Sequence, residues 1–299
     1  MRTWCVLPAT LASPIYLKTT QRCELIKFFV KLLKEEAALI EEITHEIVLF
    51  FHGCCVEPRW LEALINTDVA PQLVDIVLAS GLENPEPQTA ALQVIGAISV
   101  SEYHNVLIEA GVFHALRDVI IVEPTLRLAE DAYWIMANLT KRTEHVEVLM
   151  QDLGVMKVVC GVVAEVTGAY PQAIYEVRTH EALRVIANIV NYGTPLHVRQ
   201  LVSKVRCIEP MVGLLKKWYE KETLMLSLDT LRKLIQQGEQ SKARMNDGEM
   251  MNIYWALFDI AGGDEGLRAL VEHADSTVAD AATNALAMVS ASLVTSLQV

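Results

Sequence analysis

Two residues four apart on one predicted helix, Trp134 and Asn138, have side chains suited to non-covalent binding. An indole face attracts cations, and a carboxamide both donates and accepts hydrogen bonds. Residues at this spacing stand one above the other on a helix, so the two side chains share a face. About one repeat later the same arrangement returns as Arg184 and Asn188.

The helices that carry these pairs are predicted from the spacing of apolar residues, which recur with helical periodicity in residues 129–139 and 175–190. The predicted inward positions are Ala129, Ala132, Met136 and Leu139 in the first helix and Ala182, Ile186 and Ile189 in the second. Two further helices are predicted at residues 21–33 and 89–99. Their inward positions are Leu25, Phe28, Phe29 and Leu32 in one and Ala91, Leu92, Ile95 and Ile98 in the other.

Each of the first two helices is followed by a polar loop, a second helix, a Gly or Pro break and a third helix. The third helices fall at about Trp4, Ile47, Gln93, Trp134, Arg184 and Asp229, which are 41–50 residues apart. Repeats of this length are typical of armadillo or HEAT solenoids, and the breaks favour armadillo. The sequence therefore predicts an all-α, right-handed superhelix. We expect a single armadillo-like domain over residues 1–299, with about six units, the first incomplete.

The composition narrows the classes of partner. Hydrophobic residues make up 52% of the chain and the formal net charge is −12. Such a charge repels nucleic acid phosphates and anionic membranes and attracts Lys/Arg-rich peptides, although it also serves solubility alone. No apolar run reaches the ~18 residues of a membrane span. We therefore expect neither a nucleic acid nor a membrane as a partner.

The residue types that carry catalysis or metal binding do not occur in the required patterns. His45 and His52 share a helix face but have no third ligand nearby in the sequence. Neither a nucleophile elbow nor a phosphate-binding Gly loop is found. We predict a protein that is not an enzyme and has no metal or cofactor. The cysteines mostly lie in apolar helical stretches, which predicts reduced core residues of an intracellular protein.

Several stretches resemble a known family. NIVNYGTP at residues 188–195 with VRQLV at 198–202, LDTL at 228–231 with QGEQ at 237–240, and AGG at 261–263 are similar to the late repeats of importin α (karyopherin α). ALQVIG at 91–96 and EAGV at 109–112 resemble its middle repeats, and TWCVL at 3–7 resembles an earlier helix. The chain matches this armadillo-repeat family from about its fourth repeat to the C-terminus, in divergent form. Its first three repeats and its importin-β-binding segment are not seen.

The resemblance implies a concave acidic groove, lined by third helices, that binds an extended basic peptide. In such a groove Trp residues hold the aliphatic stems of Lys and Arg, and carboxylates meet their cationic tips. Asn residues form hydrogen bonds with the peptide backbone. Trp134 and Asn138 match this pattern, with Asp131 as the carboxylate. In the next repeat the matching residues are Asn188 and, as the carboxylate, Glu181, whereas Arg184 replaces Trp. Arg184 would repel a basic side chain unless Glu181 neutralises it. Other repeats depart from the pattern. Gln93 and Ala97 stand in place of Arg and Asn, and Ile47 and Phe51 replace Trp and its partner. Trp4 is kept, but Pro8 stands where its Asn should be.

The resemblance therefore implies an adaptor that binds basic nuclear localisation peptides for nuclear protein import, located in the cytoplasm and the nucleus. Its partners would be proteins with Lys/Arg-rich signals, with a nuclear export receptor at the C-terminal repeats as a further candidate. One alternative is an armadillo scaffold for protein–protein interaction unrelated to import. In a second alternative, Trp134 and Asn138 only pack and cap within the fold and bind no ligand. A third alternative is an incomplete product that folds poorly because no other repeat covers the core face of its first repeat.

Overall fold

The computed structural model describes residues 19–35, 41–79, 85–122, 126–164, 172–217, 220–244 and 252–297. Within these ranges the regular structure is helical and no β-strand occurs. The chain forms two compact units, residues 1–139 and 140–299. Trp4 and Pro8 lie outside the described residues. The predicted incomplete first repeat, the count of about six repeats and the single domain over residues 1–299 therefore stay predictions.

The first unit contains eight described helices, in which a short helix followed by two longer ones occurs twice. They are α1 (Thr19–Glu35), α2 (Glu41–Cys54), α3 (Pro58–Ile65), α4 (Val69–Ala79), α5 (Glu86–Ser99), α6 (Asn105–Glu109), α7 (Val112–Val122) and α8 (Leu126–Leu139). The backbone turns between α6 and α7 at Gly111, whose φ of 78° is the left-handed conformation that glycine adopts without strain. This confirms the predicted break.

The third helices of the first unit form its core. α5 packs between α2 and α8, and α4 packs against both α5 and α7. Every residue predicted to point inward from residues 89–99 and 129–139 is buried. Equivalent helices of successive repeats thus lie side by side, as expected when each repeat buries its apolar face against the next.

The predicted apolar stripe of α1 is wrong in part, because Leu25, Phe29 and Leu32 are only partly buried and Phe28 is exposed. Phe28 is 47% exposed, and the buried face of the helix is instead formed by Arg22, Ile26 and Val30. Apolar residues occur on several sides of α1, so periodicity alone did not select the correct face. Arg22 can occupy the buried face because its guanidinium lies 4.2 Å from the ring centroid of Trp60 on α3, a cation–π contact.

The second unit repeats the pattern of three helices three times. The helices are α9 (Thr143–Leu149), α10 (Leu153–Ala164), α11 (Gln172–Tyr192), α12 (Pro195–Gln200), α13 (Ile208–Leu215), α14 (Lys221–Arg244), α15 (Ile253–Ile260), α16 (Gly263–Val271) and α17 (Ser276–Leu297). α11 packs against α10 and α14, and α14 packs against α17. The predicted inward residues Ala182, Ile186 and Ile189 are fully buried.

One irregular segment separates α12 from α13. Leu201–Val205 forms a single π-helical turn, which ends at Arg206 in the left-handed conformation, with φ 64° and ψ 46°. Such turns interrupt the regular hydrogen bonding of a helix and occur often at functional sites. The sequence predicts a break near Cys207, but not this conformation of the residue before it.

The described cysteines lie in or beside the core, while the intracellular location expected from them stays a prediction. Cys54, Cys160 and Cys207 are buried, Cys23 and Cys55 are partly buried, and all five are free thiols.

Among the helices of the described ranges, none is long and apolar enough to cross a bilayer.

Candidate functional site

The side chain of Trp134 lies on the surface of α8 and rests on a glycine of the neighbouring third helix. Trp134 is 37% exposed. A Cβ atom placed on Gly96 of α5 would lie only 3.0 Å from Trp134 Cζ3 and 3.7 Å from Cε3. The indole ring therefore occupies the space that a side chain at position 96 would take. One side of the ring is supported, while more than a third of the residue remains accessible to a ligand.

The carboxylate predicted beside Trp134 is partly buried. Asp131 lies one turn before Trp134 on α8, and its burial raises the pKa of its carboxyl group above the usual range. The charge of Arg127, one turn earlier still, opposes this rise. Burial disfavours the ionised form because it removes water from the charge. A further cation near Asp131 would offset that cost.

Asn138 is less accessible than the sequence suggests. It is only 5% exposed, so little of its carboxamide is on the surface. The surface of α8 that a ligand can reach is therefore formed by the exposed Arg127 and Trp134 and by the partly buried Glu130 and Asp131. Nothing in this arrangement contradicts the other interpretation of Asn138, in which it is a packing residue.

On α11 the predicted residues form bonds with each other and with their own unit. Arg184 Nη1 donates hydrogen bonds to Glu181 Oε1 at 2.8 Å and to Oε2 at 2.6 Å. Their side chains are 25% and 13% exposed, respectively. Asn188 Nδ2 donates to Thr140 Oγ1 at 3.3 Å. Glu181 thus neutralises Arg184, and its carboxylate is already engaged.

The third helix α14 carries a similar arrangement that the sequence analysis missed. Asp229 accepts hydrogen bonds from Arg232 at 2.6 Å and from Lys233 at 2.7 Å. Burial alone would raise the pKa of Asp229, but the hydrogen bonds from Lys233 and Arg232 outweigh it and hold the pKa below the usual range. Lys233 Nζ also donates to Asn191 Oδ1 on α11 at 2.9 Å. The signal was available as an acidic residue followed by basic residues three and four positions later.

The remaining third-helix positions lack the residues of the peptide-binding pattern. Ile47 and Phe51 on α2 are buried core residues, and Gln93 and Ala97 on α5 are partly buried. No group of three or more potential metal ligands occurs among the described residues, so His45 and His52 find no third ligand there.

Several solved structures of designed armadillo-repeat proteins are similar to this chain. One designed armadillo repeat protein, in complex with the peptide (KR)4, is 19% identical with a TM-score of 0.67, and the match covers 87% of this chain and 99% of that one. Another, computationally designed for modular peptide recognition, is 18% identical with a TM-score of 0.68, over 87% and 98% of the two chains. A third designed armadillo repeat protein is 17% identical with a TM-score of 0.64, over 88% and 99%.

No family model matches the sequence, and no curated protein matches it significantly. The designed proteins share less than 20% sequence identity with this chain, so the similarity shows the fold alone. It does not test the relation to importin α. The three-helix repeats and these neighbours agree: the chain has an all-α fold of the armadillo-repeat solenoid type.

Proposed function

We propose that this chain binds extended, Lys/Arg-rich peptides on the surface of α8 and acts as a divergent adaptor for nuclear protein import. The observation that carries the proposal is the exposed indole of Trp134, supported by Gly96, with the carboxylate of Asp131 one turn earlier. The aliphatic stem of a Lys or Arg would lie along the indole. Its cationic tip would then be near Asp131, where a positive charge offsets the cost of burying a carboxylate.

Two further observations support a basic ligand. The net charge of −12 attracts cationic segments at a distance. The designed armadillo-repeat protein of similar fold is in complex with the peptide (KR)4. The role is one of binding rather than catalysis. Shuttling between cytoplasm and nucleus, and contact of the C-terminal repeats with a nuclear export receptor, are parts of the same proposal that rest on the resemblance to importin α.

A second candidate function is an armadillo scaffold whose partner is unrelated to nuclear import. The ion pairs on α11 and α14 favour it. Glu181 is engaged by Arg184, and Asp229 is engaged by Arg232 and Lys233, so these carboxylates are less available to a basic peptide. The two functions differ in what they predict about ligand charge.

The test is a titration of the protein with a fluorescent Lys/Arg-rich localisation peptide, followed by anisotropy at low and at physiological salt. Import predicts binding that weakens with salt, because exposed charges are screened over ~8–10 Å. Trp134→Ala should weaken binding by about tenfold, which corresponds to the loss of a cation–π contact and the buried stem. A matched control is Ile121→Ala, which removes an exposed apolar side chain from α7.

Equal binding by wild type and Trp134→Ala would contradict the α8 site. Binding that is insensitive to both salt and peptide charge would favour the scaffold instead. A fluorescent fusion expressed in cells would then test the import role, since an adaptor should raise the nuclear level of a cargo bearing the best-bound peptide.

A further inference from the structure

A surface cavity in the second unit lies away from the third helices, between the second helices α10 and α13. Its volume is about 480 Å³. We call it the trough and define it by six of its lining residues: Lys157, Gly161 and Ala164 from α10, Pro210 and Gly213 from α13, and Lys217 just after α13. The three α10 positions are four and three residues apart, so they form one face of that helix.

Two glycines line the trough, and no contact with the described residues explains either of them. A Cβ atom on Gly161 or on Gly213 would meet no atom of the described residues within 4 Å. Each glycine lies inside a helix, where glycine is less favourable than alanine because it loses more conformational freedom. Packing among the described residues therefore gives no reason for either glycine. A surface that lets another backbone approach closely does give one.

The charge around the trough differs in sign from the charge of the whole chain. Lys157, Arg206 and Lys217 line it, and Glu209 is the acidic residue beside them. Glu209 is engaged by Arg206 at 3.2 Å. Within the described part of the chain, neither Lys157 nor Lys217 forms an ion pair. In a chain of net charge −12, two lysines that form no ion pair with a described residue, at one trough, point to an anionic occupant.

The backbone beside the trough supports the same conclusion. Arg206 has a φ of 64°, a conformation that is uncommon for residues other than glycine. It ends the π-helical turn Leu201–Val205, and both Val205 and Arg206 line the trough. A left-handed residue commonly ends a helix as a cap, and such residues also cluster at active sites and ligand clamps. Burial also lowers the pKa of Lys217, and an anionic partner would offset that burial.

We infer that the trough is a docking site for a short acidic segment of a partner protein. Carboxylates of the segment would meet Lys157 and Lys217, and its backbone and a small apolar side chain would lie over Gly161 and Gly213. The α10 face from position 157 to 164 is roughly 10 Å long, which fits about three extended residues. This site is separate from the α8 surface and takes a ligand of opposite charge, so it goes beyond the proposed function.

The experiment uses the full chain and a labelled library of Gly/Ser-flanked peptides with acidic residues around a central Ala, Val or Leu. Binding is followed by fluorescence anisotropy. The best peptide should bind more weakly as salt increases. The double variant Lys157→Glu/Lys217→Glu should weaken it by at least about tenfold. The matched control, Lys204→Glu, changes an exposed lysine of the π-helical turn outside the trough and should have little effect.

A second pair of variants separates docking from folding. Gly161→Leu and Gly213→Leu place side chains into the trough at positions where a Cβ meets nothing, so the unfolding midpoint should stay the same or rise while peptide binding is lost. Three outcomes would overturn the inference: no library member binds in a way that depends on Lys157 and Lys217, the leucine variants bind as well as wild type, or inorganic phosphate displaces the peptide as fully as unlabelled peptide does. The last outcome would identify a small-anion site.

Discussion

Arg184 Nη1 donates hydrogen bonds to both carboxylate oxygens of Glu181, three residues earlier on α11, at 2.8 and 2.6 Å. The two residues occupy positions that the importin α resemblance assigns to an aromatic slot and to its acidic partner. Their contact turns the two positions into a neutral, partly buried pair. A basic peptide on α11 would have to compete with a cation that the chain itself supplies.

Removing that cation should restore a site on α11. We expect Arg184→Ala to raise the affinity for a Lys/Arg-rich peptide by a few-fold, since a partly exposed ion pair contributes ~0.2–1 kcal/mol. The measurement is the same anisotropy titration. The double variant Arg184→Ala/Glu181→Gln should return affinity to the wild-type level or below. An Arg184→Ala protein that binds no better than wild type would show that α11 does not contact the peptide.

The support of Trp134 by Gly96 predicts a strong dependence on side-chain size at position 96. Gly96→Leu should displace the indole and destabilise the protein by ~1–3 kcal/mol through overpacking. The shift of the ring is checked by ¹⁹F NMR with 5-fluorotryptophan, and stability by chemical denaturation.

The control for position 96 is Gly213→Ala, where a Cβ meets no described atom. That variant should gain ~0.5–1 kcal/mol because a helix interior favours alanine over glycine. If Gly96→Leu leaves the Trp134 resonance unchanged, the ring does not rest on this glycine in solution.

His180 gives stability a dependence on pH. Burial lowers the pKa of His180. The negative charge of Glu181 opposes this shift, and the positive charge of Arg184 reinforces it. The folded state therefore binds the proton less readily than the unfolded state. Stability is fully present above the ordinary histidine pKa of about 6.5 and is lost as pH falls below it. We expect His180→Gln to lose less stability than wild type between pH 7.5 and 5.5 in denaturant titrations.

The exposed His52 on α2 provides the matched control. His52→Gln should retain the wild-type loss of stability on acidification. The hydrogen-bonded contact between His180 Nδ1 and Thr223 Oγ1, at 3.1 Å, remains possible for glutamine, so the first variant should still fold at neutral pH. Identical pH profiles for wild type and His180→Gln would contradict the assignment.

Three cysteines, the buried Cys54 and Cys160 and the partly buried Cys55, should react slowly while the protein is folded. Burial raises the pKa of Cys54, Cys55 and Cys160 to about 12, so these thiols stay protonated at pH 8. Alkylation requires the thiolate. Iodoacetamide labelling followed by peptide mass spectrometry should show slow modification of all three in the native protein and rapid modification in urea. Fast native labelling of Cys160 would show that α10 opens locally.

The sequence predicted the core of the third helices well because their apolar residues recur on one face only. α8 and α5 are examples, where every predicted inward residue is buried. The prediction failed on α1 because apolar residues lie on several of its sides and an arginine occupies the buried face. Arg22 can be buried there because it contacts Trp60, which belongs to another helix. Periodicity within α1 contains no information about that contact.

The candidate site was predicted only in part, for a similar reason. Spacing identified Trp134 and Asp131, but the exposure of the indole depends on Gly96, some forty residues earlier in the chain. The ion pairs on α11 and α14 follow from i,i+3 and i,i+4 spacing and could have been found from the sequence alone. The trough could not, since it is formed by α10 and α13 only when two repeats pack together.

The contact between Gly96 and Trp134 also has an evolutionary consequence. The tightest constraint on this glycine is the indole, since a Cβ there would otherwise meet only Ile135, at an ordinary contact distance of 3.7 Å. In natural relatives of this chain, the two positions should therefore covary: where the tryptophan is replaced by a smaller residue, position 96 becomes free to accept alanine or larger side chains. Lineages that keep both residues are those in which the exposed ring is still under selection.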